Sequence, residues 1–166
     1  MNRKSAYRIL IIFAIVMANI GCDQMSKKMI RENVADNETI AVNDHLTVTR
    51  VENTGAFLSF GDSLPGPVKN ILLSVLPLIA LSAGFIIIIV KKTIPGMALL
   101  GFCFVIGGGT GNIFDRIAYG SVTDFLHLDL GIFETGIFNM ADVSIMTGTF
   151  IILLQIFSAK GRSPLA

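Results

Sequence analysis

Long runs of apolar residues, interrupted at intervals by charged positions, dominate the pattern of this chain. Between Lys69 and Lys91 lie 21 residues without a charge, and 22 more lie between Lys92 and Asp115. An α-helix of either length crosses the hydrocarbon core of a bilayer, which is roughly 30 Å thick. The pattern therefore predicts two adjacent transmembrane helices joined by a short basic turn.

Two shorter apolar runs predict one further helix near each end of the chain. Val143–Ala159 holds 17 uncharged residues, and the run extends towards its N-terminus if Asp142 is included. Ile9–Cys22 reaches full length only if Arg8 extends its charged end to the interface and the helix continues past Asp23. The four predicted spans cover approximately residues 8–26, 69–90, 94–115 and 138–158.

The segment between the first two spans has a different period. Apolar residues share one parity along TIAVNDHLTVTRV, and the turn formers Asn43 and Asp44 stand between them. A period of two predicts a small β-hairpin or sheet at approximately residues 38–60. The sequence GDSLPGP follows and returns the chain to the membrane through a turn.

Composition supports a membrane protein and excludes a nucleic-acid-binding protein. Hydrophobic residues make up 52% of the chain, the mean hydropathy is +0.70, and only 15% of residues are charged. Soluble domains carry about 25% charged residues. Thirteen Lys and Arg residues against twelve Asp and Glu residues leave a formal charge of +1, so there is no basic excess to neutralise phosphates.

Threading the chain four times through a bilayer separates its charges. One side holds all twelve acids and six bases, and the other side holds both termini and seven bases without an acid. Cytoplasmic segments carry the excess of Lys and Arg, so we expect both termini in the cytoplasm. The seven bases are Arg3, Lys4, Arg8, Lys91, Lys92, Lys160 and Arg162. The predicted fold class is an all-α membrane protein, in which residues 1–166 form one four-transmembrane-helix bundle with a small extracytoplasmic β-cradle.

Cysteine and histidine residues predict neither a disulfide nor a metal site. Cys22 lies near the outer end of the first span and Cys103 near the middle of the third, so their depths differ. His45 and His127 have no cysteine nearby at metal-ligand spacing. We therefore expect both histidines to be surface or loop residues, and we expect neither a metal ion nor another cofactor.

Polar residues gather at the outer ends of the spans, where ionisable groups are costly and usually functional. Asp23 and Lys27 are four residues apart, which places them on one helix face. Gly108, Asn112 and Arg116 form a second row at the same spacing along the third span. The alternatives are an interfacial salt bridge for the first pair, and helix packing with an interfacial arginine for the row.

Two further acids are candidates for a hydrolytic centre. Asp124 in GSVTDFLHL alone is typical of a turn, and Asp142 in FNMADVSI is also typical of a first-turn acid in a helix capped by Asn139. Both would lie near the outer membrane boundary, where a bundle can bring them together. Two carboxylates that share a site can hold a water between a base and an acid. No Ser/His or Cys/His constellation competes with this pair.

Four sequence blocks resemble the lipoprotein signal peptidase family, the bacterial signal peptidase II. They are DQMSK, VENTGAFLSF, GGGTGNIFDRIAYGSVTDF and FNMADVSI, in the order and spacing of the family, and the resemblance covers nearly the whole chain. Gly109 stands where many members carry Ala. The resemblance implies a metal-independent aspartic endopeptidase that cleaves bacterial prolipoproteins just before their diacylglyceryl-modified cysteine.

The resemblance also implies residue roles, partners and a location. Asp124 and Asp142 would be the catalytic dyad. The protein would be a monomeric, multi-pass protein of the bacterial cytoplasmic (inner) membrane, surrounded by membrane lipid, with its active site near the outer face. Globomycin-type inhibitors would occupy the dyad. The supporting residues would be Asp23, Lys27, Asn53, Gly55, Gly108, Asn112, Arg116, Asn139 and Ala141.

The residues leave several points open. Either aspartate can be the base that takes a proton from water while the other donates to the scissile carbonyl. The segment from Asn53 to Phe60 is a candidate lid over the substrate, through Phe57 or Phe60.

The alternative functions are a proton-coupled channel or small transporter, which no inverted repeat supports, and a non-catalytic assembly factor that uses the glycine face. The transporter would use the relay Asp23, Asp115, Asp124 and Asp142.

Overall fold

Four long helices form the body of the protein. The computed structural model describes residues 3–56 and 64–160, so the candidate lid residues Phe57 and Phe60 lie outside the described residues. Each of the four helices is long and apolar enough to cross a membrane. They are α1 (Arg3–Asn33), α2 (Gly66–Val90), α3 (Gly96–Tyr119) and α4 (Met140–Lys160).

The helices extend beyond the apolar runs because polar residues continue them. α1 has 31 residues, so it is about 46 Å long and carries Asp23 and Lys27 on its last turns. α2 contains a π-helical turn, Ile71–Val75, which ends two residues before Pro77. Proline donates no backbone hydrogen bond and its ring clashes with the carbonyl four residues earlier in a regular α-helix, so the wider turn accommodates it.

A small sheet lies at one end of the bundle. Its strands β1 (Thr39–Ala41), β2 (Leu46–Asn53) and β3 (Val122–Leu128) pair antiparallel in the order β1-β2-β3. The predicted β-segment supplies the first two strands, and the side chain of Asn43 accepts hydrogen bonds from the backbone between them. The third strand follows α3 directly. Four membrane-length helices with a small sheet confirm the predicted fold class.

The interior of the bundle is apolar at its centre and polar towards the sheet. Ile12, Ile88 and Cys103 are almost fully buried where α1, α2 and α3 meet. α3 and α4 cross so closely that only glycine fits at the contact. A Cβ on Gly101 would lie 2.6 Å from the carbonyl oxygen of Gly148. Small residues at such a crossing are typical of helix packing in membranes.

We expect Gly148→Ala to destabilise the bundle, because its added methyl group would overlap the backbone of α3 at Gly101. Overpacking of this kind costs about 1–3 kcal/mol. Thermal unfolding in detergent, followed by far-ultraviolet circular dichroism, measures the effect. Gly84→Ala in α2 is the matched control, since its Cβ would meet only Ile106 at an ordinary 3.9 Å. Equal melting temperatures for the two variants would contradict the packing argument.

Candidate active site

Pairing of β2 with β3 sets the position of Asp124. α3 ends at Tyr119, the following Gly120 turns the chain towards β3 with a φ of +80°, and Val51 faces Asp124 across the two strands. The Asp124 side chain is buried and accepts two hydrogen bonds. Its Oδ2 accepts from Nδ2 of Asn53 at 2.9 Å, and its Oδ1 accepts from Nδ2 of Asn139 at 2.6 Å.

Asp142 lies in the first turn of α4. Its two oxygens have different partners, so it can act both as a capping acid of the helix and as a member of a carboxylate pair. Its Oδ2 accepts from the backbone N–H of Asn139 at 3.1 Å, and its own N–H donates to Oδ1 of Asn139 at 3.0 Å. This reciprocal pair closes the N-terminus of the helix in the manner of a capping box. The other oxygen, Oδ1, accepts from Nδ2 of Asn112 at 2.9 Å, so capping leaves it free to face a neighbouring helix.

Two asparagines join the two carboxylates. Nδ2 of Asn139 donates both to Asp124 and to Oδ1 of Asn112, the latter at 3.1 Å. Asn112 therefore accepts at its oxygen and donates to Asp142 at its nitrogen. A cavity of about 100 Å³ opens between these groups, which is enough room for several water molecules. The residues that line it are Asn53, Ala56, Asn112, Arg116, Val122, Asp124, Ile137 and Asp142.

The pKa of Asp124 is raised from its ordinary value to about 6, chiefly by burial and in addition by the negative charge of Asp142. The hydrogen bonds from Asn53 and Asn139 act in the opposite direction because they stabilise the carboxylate. The site thus contains a carboxyl group that keeps its proton in mildly acidic solution, beside a second carboxyl at a helix N-terminus.

A buried cluster of charged side chains lies beside these groups and contacts Asn112. Nζ of Lys27 lies 2.9 Å from a carboxylate oxygen of Asp23 and 2.9 Å from one of Asp115, and all three side chains are fully buried. Nζ also donates to Oδ1 of Asn112 at 2.8 Å. Ammonium can only donate, so Lys27 fixes the orientation of this amide and points its NH₂ group towards Asp142.

Asp23 links the same cluster to α4. Its Oδ1 accepts from the backbone N–H of Ala141 at 2.9 Å, at the N-terminus of α4. A Cβ at Gly111 would overlap the carboxylate of Asp23, and a Cβ at Gly108 would overlap the carbonyl of Ala141. These two glycines therefore allow α1 and α4 to approach α3 closely enough for the polar groups to meet.

Arg116 joins the end of β2 to α3. Its Nη2 donates to the carbonyl of Gly55 at 2.8 Å and its Nη1 to the carbonyl of Asn112 at 3.4 Å. The N–H of Gly55 donates in turn to Oδ1 of Asn53 at 2.9 Å. Nε of Arg116 is buried and has no hydrogen-bond partner among residues 3–56 and 64–160. The arginine thus holds the loop over the cavity and retains one donor for another group.

All eleven residues predicted for the site lie in this one assembly, but the motifs missed several of its members. Gln24 donates to Asp23, to Asp115 and to the carbonyl of Gly111. Arg31 donates to Thr123 at 2.8 Å and lies 4.3 Å above the ring of Tyr119. The spacing Asp23, Lys27 and Arg31 continues one helix row and could have indicated the arginine, whereas Gln24 gave no signal.

The four acids of the alternative proton relay fall into two separate groups. Asp23 and Asp115 share Lys27, while Asp124 and Asp142 line the cavity. Among the residues that the structure describes, no three His, Cys, Asp or Glu side chains are placed to hold a metal ion.

Comparison with known proteins finds relatives along almost the whole chain. A peptidase family described as signal peptidase (SPase) II matches residues 15–158. The chain is 30% identical over 165 residues to a lipoprotein signal peptidase of Psychromonas ingrahamii, covering 98% of this chain and 91% of that protein. It is 34% identical over 151 residues to a lipoprotein signal peptidase of Halothermothrix orenii, covering 90% of this chain and 97% of that protein.

Two solved structures, both described as bacterial membrane enzymes, share the fold. The first superimposes with a TM-score of 0.82 at 22% identity and covers 93% of this chain and 92% of its own. The second gives 0.76 at 24% identity, with coverages of 87% and 91%. At this level of identity the likeness establishes the architecture of the helices and sheet.

We expect Lys27→Met to destabilise the protein strongly, because it leaves two buried carboxylates without their shared cation. Removal of one partner from a buried ion pair costs about 3–5 kcal/mol. Unfolding of the purified protein by sodium dodecyl sulfate, followed by circular dichroism, measures the loss.

Lys28→Met is the control for Lys27→Met, since Lys28 is 71% exposed and should be replaceable without effect. The double variant Lys27→Met/Asp115→Asn should recover part of the stability, because it removes one of the two buried carboxylates that lose Lys27. A Lys27→Met protein as stable as the wild type would contradict the role of this cluster.

The raised pKa of Asp124 predicts a carboxyl group that titrates at about pH 6. Infrared spectroscopy should show the C=O stretch of a protonated carboxylic acid below this pH and its loss above it. Asp124→Asn should abolish this band. Asp142→Asn should move the midpoint to lower pH, because it removes the neighbouring negative charge. A band with an unchanged midpoint in Asp124→Asn would show that another group titrates there.

Proposed function

Because the chain belongs to the signal peptidase II family, we propose that it cleaves prolipoproteins just before their diacylglyceryl-modified cysteine, with Asp124 and Asp142 as its catalytic dyad. This family is the one that the sequence motifs predict, so the prediction of the family is confirmed. The chain is a multi-pass bacterial membrane protein and an aspartic peptidase that removes signal peptides from prolipoproteins. The reacting groups and the cleaved bond are the proposal.

The observation that carries the dyad is the pair of carboxylates on one small polar cavity. Each of their four oxygens accepts one hydrogen bond from the protein. Both carboxylates therefore have fixed orientations and keep unused lone pairs for a water between them. Such a pair shares one proton, because two adjacent carboxylates do not both ionise easily.

We assign the shared proton of the free enzyme to Asp124. Its pKa is raised to about 6, whereas the carboxylate of Asp142 accepts a backbone N–H at the positive end of α4. Asp142 then takes a proton from the water as the water oxygen bonds to the scissile carbon, and Asp124 donates to the carbonyl oxygen. A tetrahedral gem-diol forms. It collapses with cleavage of the C–N bond as one of its hydroxyl groups returns a proton to Asp124 and Asp142 passes the proton taken from water to the leaving amine of the cysteine.

The supporting residues keep this geometry in place. Asn53 and Asn139 orient Asp124, and Asn112 orients Asp142 under the control of Lys27. The unpartnered Nε of Arg116 is a donor for the substrate backbone or for the developing oxyanion.

A second cavity supports entry of the substrate from the bilayer. It measures about 320 Å³, is largely apolar and lies between α2, α3 and α4. It shares Ala56, Asn112 and Arg116 with the polar cavity. A lipidated segment can keep its acyl chains among apolar side chains there while the peptide bond reaches the dyad. Globomycin-type inhibitors would occupy the same two cavities, and the enzyme would act as a monomer.

The proposed orientation places both termini in the cytoplasm and the dyad near the outer face of the inner membrane. Arg8 and the turn at Lys91 lie together at the end of the bundle opposite the sheet, as the hydrogen bond from Arg8 to the carbonyl of Lys91 shows. An end with excess bases faces the cytoplasm.

We expect Asp124→Asn and Asp142→Asn each to reduce cleavage of a diacylglyceryl prolipoprotein at least about 100-fold, because each removes one partner of the proton transfer. The assay follows product formation in mixed micelles with and without a chelator, and mass spectrometry of the released peptide identifies the cleaved bond. Asp44→Asn, an exposed acid beside the sheet, is the matched control and should retain full activity.

Near-normal turnover by either dyad variant would overturn the proposed chemistry. Loss of activity on addition of the chelator would overturn metal independence. Cleavage at another bond would leave the dyad in place and refute the proposed specificity.

A further inference from the structure

A separate cavity lies at the end of the bundle opposite the dyad. It has a volume of about 210 Å³ and lies between the N-terminal part of α1 and the C-terminal end of α2. Its lining is composed of three bases, one hydroxyl group and two isoleucines, and no acid is among the residues that line it. These residues are Lys4, Ser5, Arg8, Ile9, Ile89 and Lys92.

Arg8 forms the wall between the two helices. Its Nη1 donates to the carbonyl of Ile89 at 3.3 Å and its Nη2 to the carbonyl of Lys91 at 3.0 Å, at the C-terminal end of α2. These bonds satisfy carbonyls that the helix end leaves without partners. A guanidinium has five N–H groups, so donors remain on a cation that is already held in place.

The remaining walls suit a ligand that is anionic at one end and apolar at the other. Lys4 and Lys92 are exposed bases at the rim, and Ser5 provides a hydroxyl donor. Ile9 and Ile89 lie one turn or less from Ile12 and Ile88 of the buried core, so the apolar wall continues towards the membrane interior. A phosphate group among the bases would have acyl chains directly below it.

The geometry points to a binding site for one anionic phospholipid, such as phosphatidylglycerol, with its phosphodiester between Arg8, Lys92 and Lys4 and its chains against Ile9 and Ile89. Basic pockets between transmembrane helices take anionic headgroups in this way. A lipid is favoured over a soluble phosphate because the residues lie at the end of membrane-spanning helices. The site is independent of the peptidase chemistry and would stabilise the junction between α1 and α2.

Native mass spectrometry of the detergent-purified protein with added phosphatidylglycerol or phosphatidylcholine tests this site. We expect one phosphatidylglycerol to bind in preference to phosphatidylcholine. Lys92→Gln should weaken its binding about fivefold, since one basic residue near an anionic headgroup contributes about this factor. Lys91→Gln is the matched control, because Lys91 carries the same charge at the neighbouring position but does not line the cavity. Its affinity should stay close to that of the wild type.

Each other outcome overturns the assignment in a different way. Equal weakening by Lys91→Gln and Lys92→Gln would show general attraction to a basic surface. Displacement of the lipid by inorganic phosphate would show a small-anion site without a role for the acyl chains. Equal binding of the two lipids, or no effect of Lys92→Gln, would show that the cavity does not recognise the headgroup. Cleavage activity decides none of these results, so they stand apart from the proposed function.

Discussion

The ammonium group of Lys27 is the interaction on which the rest of the structure depends. It lies fully buried between Asp23 on its own helix and Asp115 on α3, and it donates to Asn112 as well. Asp23 holds the N-terminus of α4 through Ala141. One cation therefore connects three of the four helices. Within a membrane the alternative for each of these groups is hydrocarbon, so the cluster is stable only when it is complete.

Asparagine is the residue that this site requires between its charges. The side chain of Asn112 accepts a hydrogen bond from Lys27 and donates one to Asp142. The side chain of Asn139 donates to Asp124 through Nδ2, and its Oδ1 caps the N-terminus of α4. A carboxylate cannot donate and an ammonium cannot accept, so neither could stand in these positions. Asp142 likewise has two roles, since one carboxylate oxygen caps the N-terminus of α4 and the other faces the cavity. The structural and the chemical interpretations of its sequence motif are therefore compatible.

The helices were predictable because the length of an apolar run is set by bilayer thickness and needs no tertiary information. The i, i+4 spacing likewise predicted that Asp23 and Lys27 share a face. It could not predict Asp115 as the second partner of Lys27, because spacing along one helix does not show which residues of a neighbouring helix contact that face. β3 was missed for a related reason. Its pairing with β2 joins residues about 70 to 80 positions apart, and the Asp124 side chain is buried in the strand that results. Gln24 lies beside Asp23 and carries no periodic signal.

The cavity takes its walls from β2, α3, β3 and α4, and its amides are oriented by a lysine on α1. Its walls come from residues between positions 53 and 142, so no single helix or strand contains it. A chain whose last helix has not yet entered the bilayer therefore lacks Asn139 and Asp142 at the proposed active site. Many peptidases are held inactive during biosynthesis by a segment that is later removed. In this protein the proposed dyad is likewise incomplete until the final helix packs against α3, because Asp142 lies in the first turn of that helix.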